Sequence, residues 1–167
     1  MKYKNILVAI DLTKDSKRII KQGCSIAKTN NSKISVVNVV PPFKHYYAYS
    51  HFDEGMHYQE LENNVVYRAK ENLNNLLVQF KTKIDSIHVS IGPVAETIRS
   101  ISKKLDSDLV IIGTHARSGI SKFILGSTAH SLLGGLDIDV LIVNLNDYRK
   151  YKETKTSQEQ TTLERVI

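Results

Sequence analysis

The segment from Gly113 to Ala129, GTHARSGISKFILGSTA, gathers residue types that can hold a phosphate. Glycines at 113, 119 and 126 let a backbone turn sharply and approach a ligand closely. Gly126, Ser127 and Thr128 open a helical pattern, where unpaired N–H groups and the helix dipole attract an anion. The Ser127 and Thr128 hydroxyls add donors, and Arg117 and Lys122 bring positive charge between the two ends. The same residues also fit an N-cap behind a flexible turn. Taken alone, they leave cradle and turn equally open.

Other reactive residue types are sparse. Asp11 closes the apolar run ILVAI, so its carboxylate either faces a ligand at a strand end or caps the next helix. Three of the six histidines, His45, His51 and His57, recur at spacings of six. Zinc sites use closer pairs and often cysteine, so no metal ligand set is expected. His115 lies in the glycine-containing loop, as a ligand contact or an exposed side chain, and His130 falls early in the helix after it. Cys24 is the single cysteine. It excludes an intrachain disulfide and sits in a helical pattern, as an inert core thiol would.

The elements that must position these residues follow from hydrophobic periodicity. Lys4–Asp11, Lys33–Val40, Ser107–Thr114 and Asp139–Asn144 are nearly continuous apolar runs, as in strands buried on both faces of a parallel sheet. Ser86–Ile91 alternates and reads as an edge strand. Between them lie helical patterns. In the first, Ile19, Ile20, Gly23, Cys24 and Ala27 share a face. The second, Gln59–Lys83, carries Leu61, Val65, Val66, Ala69, Leu73, Leu76, Leu77 and Phe80. The third opens at Pro93 and buries Val94, Ile98, Ile101 and Leu105. The fourth, from Ser127, stops on the pair Gly134–Gly135.

This β-α-β-α-β-α-β-α-β order predicts an α/β, doubly wound, Rossmann-like parallel sheet with helices on both faces. Ligands of such sheets bind beyond the carboxyl ends of the strands, where the strand order reverses. The residues after each strand, from Asp11, Val39, Ile91 and Gly113 onward, are therefore the candidates for ligand contact.

The spacing of the glycine-containing loop resembles the universal stress protein family. Its nucleotide-binding members carry glycine, two residues, glycine, nine residues, then glycine followed by serine or threonine. This chain keeps that register with Ala116 at the second glycine. KNILVAIDLTKDS resembles the family's first strand and aspartate, VVNVV its second strand, GPVAETI its third-helix entry and DVLIVN its last strand. The likeness spans roughly Lys4 to Asn144, so residues 1–145 are expected to form one domain and 146–167 a polar, mobile tail.

The resemblance implies a five-stranded sheet of order 3-2-1-4-5 and an ATP site between strands one and four. Carried over residue by residue, Ala9 and Val39 would contact adenine. Asp11 would approach the ribose, or a Mg ion through water. Ile112 and Gly113 would line the path to the phosphates. Ala116, Arg117, Ser118 and Gly119, with Ser127, Thr128 and Ala129 behind Gly126, would hold the phosphates. The family commonly dimerises through the last strand, here Val140, Leu141, Ile142 and Val143. An alanine at 116 costs about 1 kcal/mol if that position needs a positive φ, and little otherwise.

A receiver domain would need an acidic pair near Asp11 and an aspartate after the third strand, and neither is present. Related adenylating enzymes place glycines in the loop after strand one, and DLTKDSK has none. No evident base stands beside the loop, so at most slow ATP hydrolysis or autophosphorylation is expected. Composition agrees with a cytoplasmic regulator: 41% hydrophobic and 24% charged residues, with no apolar run long enough to cross a bilayer.

The net charge of +6 is spread along the chain rather than concentrated in a stripe, which does not favour nucleic acid. Residues 41–58 hold half of the aromatics and exceed a connector's length. They fit a lid over the nucleotide. In the alternative reading, the same fold lacks a nucleotide and these aromatics meet a partner protein.

Overall fold

The computed structural model describes residues 2–42, 57–114, 126–135 and 137–145. Five strands alternate with four helices: β1 (Asn5–Ile10), α1 (Ser16–Asn30), β2 (Lys33–Val40), α2 (His57–Leu77), β3 (Ser86–Ile91), α3 (Val94–Lys104), β4 (Leu109–Gly113), α4 (Ser127–Leu133) and β5 (Asp139–Val143). All neighbouring strands pair in parallel, in the order β3-β2-β1-β4-β5. This is the order that the resemblance implies, and β3 lies at an edge as its alternating pattern predicts. No helix among the described residues is long and apolar enough to cross a membrane.

The central strands are apolar throughout because both faces are covered. Ile6, Val8, Ile10, Ile34, Val36, Leu109 and Ile111 face α1 and α2 in one cluster. Leu7, Ala9, Val37, Val39, Val110 and Ile112 face Ile98 of α3 and Ala129 and Leu132 of α4 in a second. Burying each large aliphatic side chain contributes about 1.5–3 kcal/mol, so two such layers outweigh any local propensity. The predicted stripe of α1 is buried as a unit: Ile19, Ile20, Gly23, Cys24 and Ala27. A Cβ on Gly23 would lie 2.6 Å from Val8 Cγ2. Glycine inside a helix costs about 1 kcal/mol relative to alanine, and here it lets α1 sit close on the sheet.

The structure departs from expectation at two places, both in α2. The helix predicted to reach Lys83 ends at Leu77, and the chain tightens into a turn where Phe80 N–H donates to Leu77 O at 3.0 Å. Within α2 only the carboxyl half of the stripe, Ala69, Leu73 and Leu77, is buried, while Leu61 is 46% exposed. The glycine pair ends α4 as expected, with Gly134 as its C-cap. Gly134 has φ −83°, a value open to any residue. A Cβ on Gly135 would meet the Arg99 guanidinium, the movable end of a long side chain.

Candidate functional site

The strand order reverses at β1. From there the chain crosses through α1 to β2 on one side, and it later returns to β4 on the other. The carboxyl ends of β1 and β4 therefore border a crevice of the kind in which doubly wound sheets bind ligands. Four of the expected contact residues share one apolar cluster at this end. Ala9 and Val39 are each 8% exposed, Ile112 4% and Ala129 2%.

Asp11 stands at the rim, exposed, just past the end of β1. Its Oδ1 accepts hydrogen bonds from Thr13 N–H at 3.2 Å, the Thr13 hydroxyl at 2.8 Å and the Ser16 hydroxyl at 3.4 Å. These contacts fold the β1–α1 turn around the carboxylate and tie it to the first residue of α1. They also hold Leu12 at φ 59°, a region that costs an L-residue about 1–2 kcal/mol. The Leu12 side chain packs on the α1–α2 cluster in return. Asp11 is thus a turn organiser as well as a rim carboxylate.

Gly113 ends β4. A Cβ there would lie 2.7 Å from both Ile19 Cδ1 and Leu145 Cδ1. The side of Gly113 facing α1 is therefore filled by protein, and the need for glycine is met by packing alone. Thr114 continues the chain: its N–H donates to Val143 O at 2.9 Å and its Oγ1 accepts from Leu145 N–H at 2.9 Å. That pair of bonds locks the ends of β4 and β5 together before the chain enters the loop.

The far end of the loop is Gly126, the N-cap of α4, at φ −60° and ψ 154°. Its carbonyl accepts the first helical bond from His130 N–H at 3.0 Å. The first-turn N–H groups of Ser127, Thr128 and Ala129 have no intrahelical acceptor, as at any helix start, and Gly126 contributes no capping side chain. The expected positions Ala116, Arg117, Ser118 and Gly119 lie outside the described residues, as do His115, Lys122, the aromatics from Phe43 to Phe52 and the tail from residue 146. Among the described residues, no group of three or more metal-ligating side chains is assembled.

Sequence reasoning passed over Asn38. Its side chain is 4% exposed, and its Nδ2 donates to Ile10 O at 2.9 Å. It joins the last carbonyl of β1 to β2 at the carboxyl ends of these strands. A single amide inside the apolar run KISVVNVV was the available signal. Thr13, Ser16 and Thr114 were missed for a different reason: isolated hydroxyl residues in turns carry no periodicity.

The profile of the universal stress protein family matches residues 2–144. Universal stress protein A homolog 1 of Coxiella burnetii is 32% identical over 143 residues, covering 86% of this chain and 97% of that protein. Its homolog 2 is 29% identical over 144 residues, covering 86% and 96%. Among solved structures, the universal stress protein UspA from Lactobacillus plantarum superposes with a TM-score of 0.67 at 18% identity, covering 86% of this chain and 99% of that one. A universal stress protein in complex with cAMP gives 0.55 at 19% identity, covering 87% and 100%. With a match across nearly the whole described domain and a homologous sequence above the level of chance likeness, this chain belongs to the universal stress protein family.

Proposed function

We propose that this protein is a stress-response regulator that binds ATP, with Mg, at the carboxyl ends of β1, β2 and β4. The observation that carries the proposal is convergence at the strand reversal. Ala9, Val39 and Ile112 line one end of the sheet, Asp11 stands at its rim, and the first turn of α4 opens beside it. In this reading adenine lies against Ala9 and Val39, and Asp11 approaches the ribose or a hydrated Mg ion. Gly113, the 116–119 turn and Gly126 to Ala129 border the phosphates. The solved relative in complex with cAMP adds support for an adenine nucleotide as the ligand class. Catalysis is not required of this site, and turnover is expected below about one per second. The protein acts in the cytoplasm as a homodimer joined through β5.

One observation favours a second reading, in which the fold acts as an interaction module through its 41–58 loop without nucleotide. Gly113 is explained by packing against Ile19 and Leu145, and Ala116 replaces a family glycine. Two of the motif's positions therefore give no support for a ligand.

Calorimetry with Mg-ATP and with AMP decides between them. Saturable ATP binding is expected, and no heat from either ligand at millimolar concentration would overturn the nucleotide reading. Gly126→Asp sharpens the test. The backbone at 126 suits any residue, and aspartate is a favoured N-cap. The variant should therefore fold while its carboxylate repels the phosphates. Ala116→Gly should raise affinity if the turn is strained.

A further inference from the structure

At the opposite pole of the molecule, the amino ends of the strands carry a depression of about 560 Å³ between the end of α1, the start of β2 and the loop before β3. Lys28, Lys33, Lys81 and Lys83 line it, with Asp85 as the one acid. The Asp85 carboxylate is committed to the backbone. Its Oδ2 accepts from Ile34 N–H at 2.9 Å, and the Asp85 N–H donates to Ile34 O at 2.8 Å. These two bonds pin the Lys81–Lys83 loop to β2. No described side chain forms an ion pair with any of the four ammonium groups.

From these features we propose a second anion site here, for a short chain of linked phosphates. Four positive charges around one concavity, with no described ionic partner, focus a field that raises local anion concentration. Lysines are compact, mobile point charges, and no arginine fork lines the depression, which suits clustered phosphate oxygens better than a single planar carboxylate.

The negative end of the α1 dipole lies here and opposes an anion. It is blunted, because Asn31 N–H and Ser32 N–H both donate to Ala27 O, and Asn31 holds the turn at φ 55°. An adjoining cavity of about 380 Å³ shares Lys33 and Asp85 and adds Lys104 and Asp106, whose charges offset each other, so the positive surface is confined to the larger depression. Lys33 and Val39 sit at opposite ends of β2, roughly 20 Å apart at about 3.3 Å per residue. The site is therefore separate from the nucleotide crevice and does not depend on it.

Inorganic tripolyphosphate is the probe, titrated at low salt into full-length Gly126→Asp protein, in which the crevice is blocked. The expected result is saturable binding that weakens by about tenfold in Lys81→Glu/Lys83→Glu and declines with added salt. Lys81→Gln/Lys83→Gln should show a smaller loss. Amide NMR spectra should show the shifts at residues 27–33 and 81–85, and they also report that each variant is folded. ATP bound to the same background would identify a nucleotide's phosphate tail as an alternative source of this chemistry. Equal affinity in the lysine variants, shifts confined to 113–129, or no binding to the folded protein would each overturn the proposal. Failure of ATP to bind wild-type protein would leave it standing.

Discussion

At the scale of single residues, one position has a role different from what its motif implies. Gly113 fits a phosphate-loop register, yet its missing side chain is matched by Ile19 and Leu145 at 2.7 Å. Ile19 is 2% exposed and has little room to withdraw. Gly113→Ala should therefore lower stability by about 1–3 kcal/mol through overpacking, read as a shift in urea midpoint, whether or not nucleotide is present. Ile19→Val removes the clashing Cδ1, so the double variant should recover part of that loss. Strict additivity of the two changes would show that the contact is not the cause. Asp11 carries two burdens as well. Its bonds to Thr13 and Ser16 support the unfavourable backbone at Leu12, so replacing it tests the turn and the ligand together. Gly126 is the cleaner probe for that reason.

At the scale of elements, edge strand β3 differs from its neighbours. It turns Ser86 and His88 toward the α3 side, where Ser86 Oγ donates to Ser35 Oγ at 2.8 Å and lies 2.9 Å from His88 Nε2. Burial, and secondarily the Lys104 ammonium, push the His88 imidazole below its ordinary value of 6.5. The unfolded chain then takes up a proton more readily than the folded one. Stability is full above pH 6.5 and declines as pH falls from there through the lowered folded value. His88→Gln keeps a partner for Ser86 and should flatten that decline in denaturant midpoints measured across the window. An unchanged pH profile would assign it to another group. On the same face, α3 anchors α4: Arg99 Nη1 donates to Ser131 O at 3.0 Å, filling the space left beside Gly135. The short α4 is thus oriented by a neighbouring helix rather than by its own seven residues.

At the scale of the whole molecule, β3 and β5 are the outer strands of the sheet among the described residues. Residues 140–143 on β5 are only partly buried, no described strand pairs with its outer side, and an exposed apolar edge is a template for a second strand. Val143 O accepts from Thr114 N–H, so Val143 turns its peptide groups toward β4 and Ile142, one residue back, turns its own outward. Proline is tolerated where an edge N–H faces away from the ladder. Ile142→Pro should thus convert the proposed dimer to a folded monomer in sedimentation velocity. A dimer that survives the change would place the interface elsewhere. The two poles of the molecule also differ in chemistry. The carboxyl ends of the strands present small apolar residues and a helix start. The amino ends present a lysine cluster around β2, together with Asp85, Asp106, Asp108 and Asp139 near the strand starts. Net charge alone, at +6, did not reveal that separation, because the four lysines of the depression come from three separate stretches of the chain.

The sequence by itself determined the alternation of strands and helices, the burial of α1, and the residues that end each strand. Period-two and period-3.6 apolar patterns encode which face each element must hide, and right-handed crossovers leave few ways to assemble them. The extent of α2 was less legible, because the apolar residues Leu76, Leu77 and Phe80 continue the helical rhythm through a turn. Only the tertiary structure decided why Gly113 is glycine, since the Ile19 and Leu145 atoms that crowd a Cβ there belong to residues distant in the chain. It alone also joined Asn38 to Ile10, Asp85 to Ile34 and four scattered lysines to one another. Those are relations across strands, and local pattern does not specify which neighbour a side chain will meet.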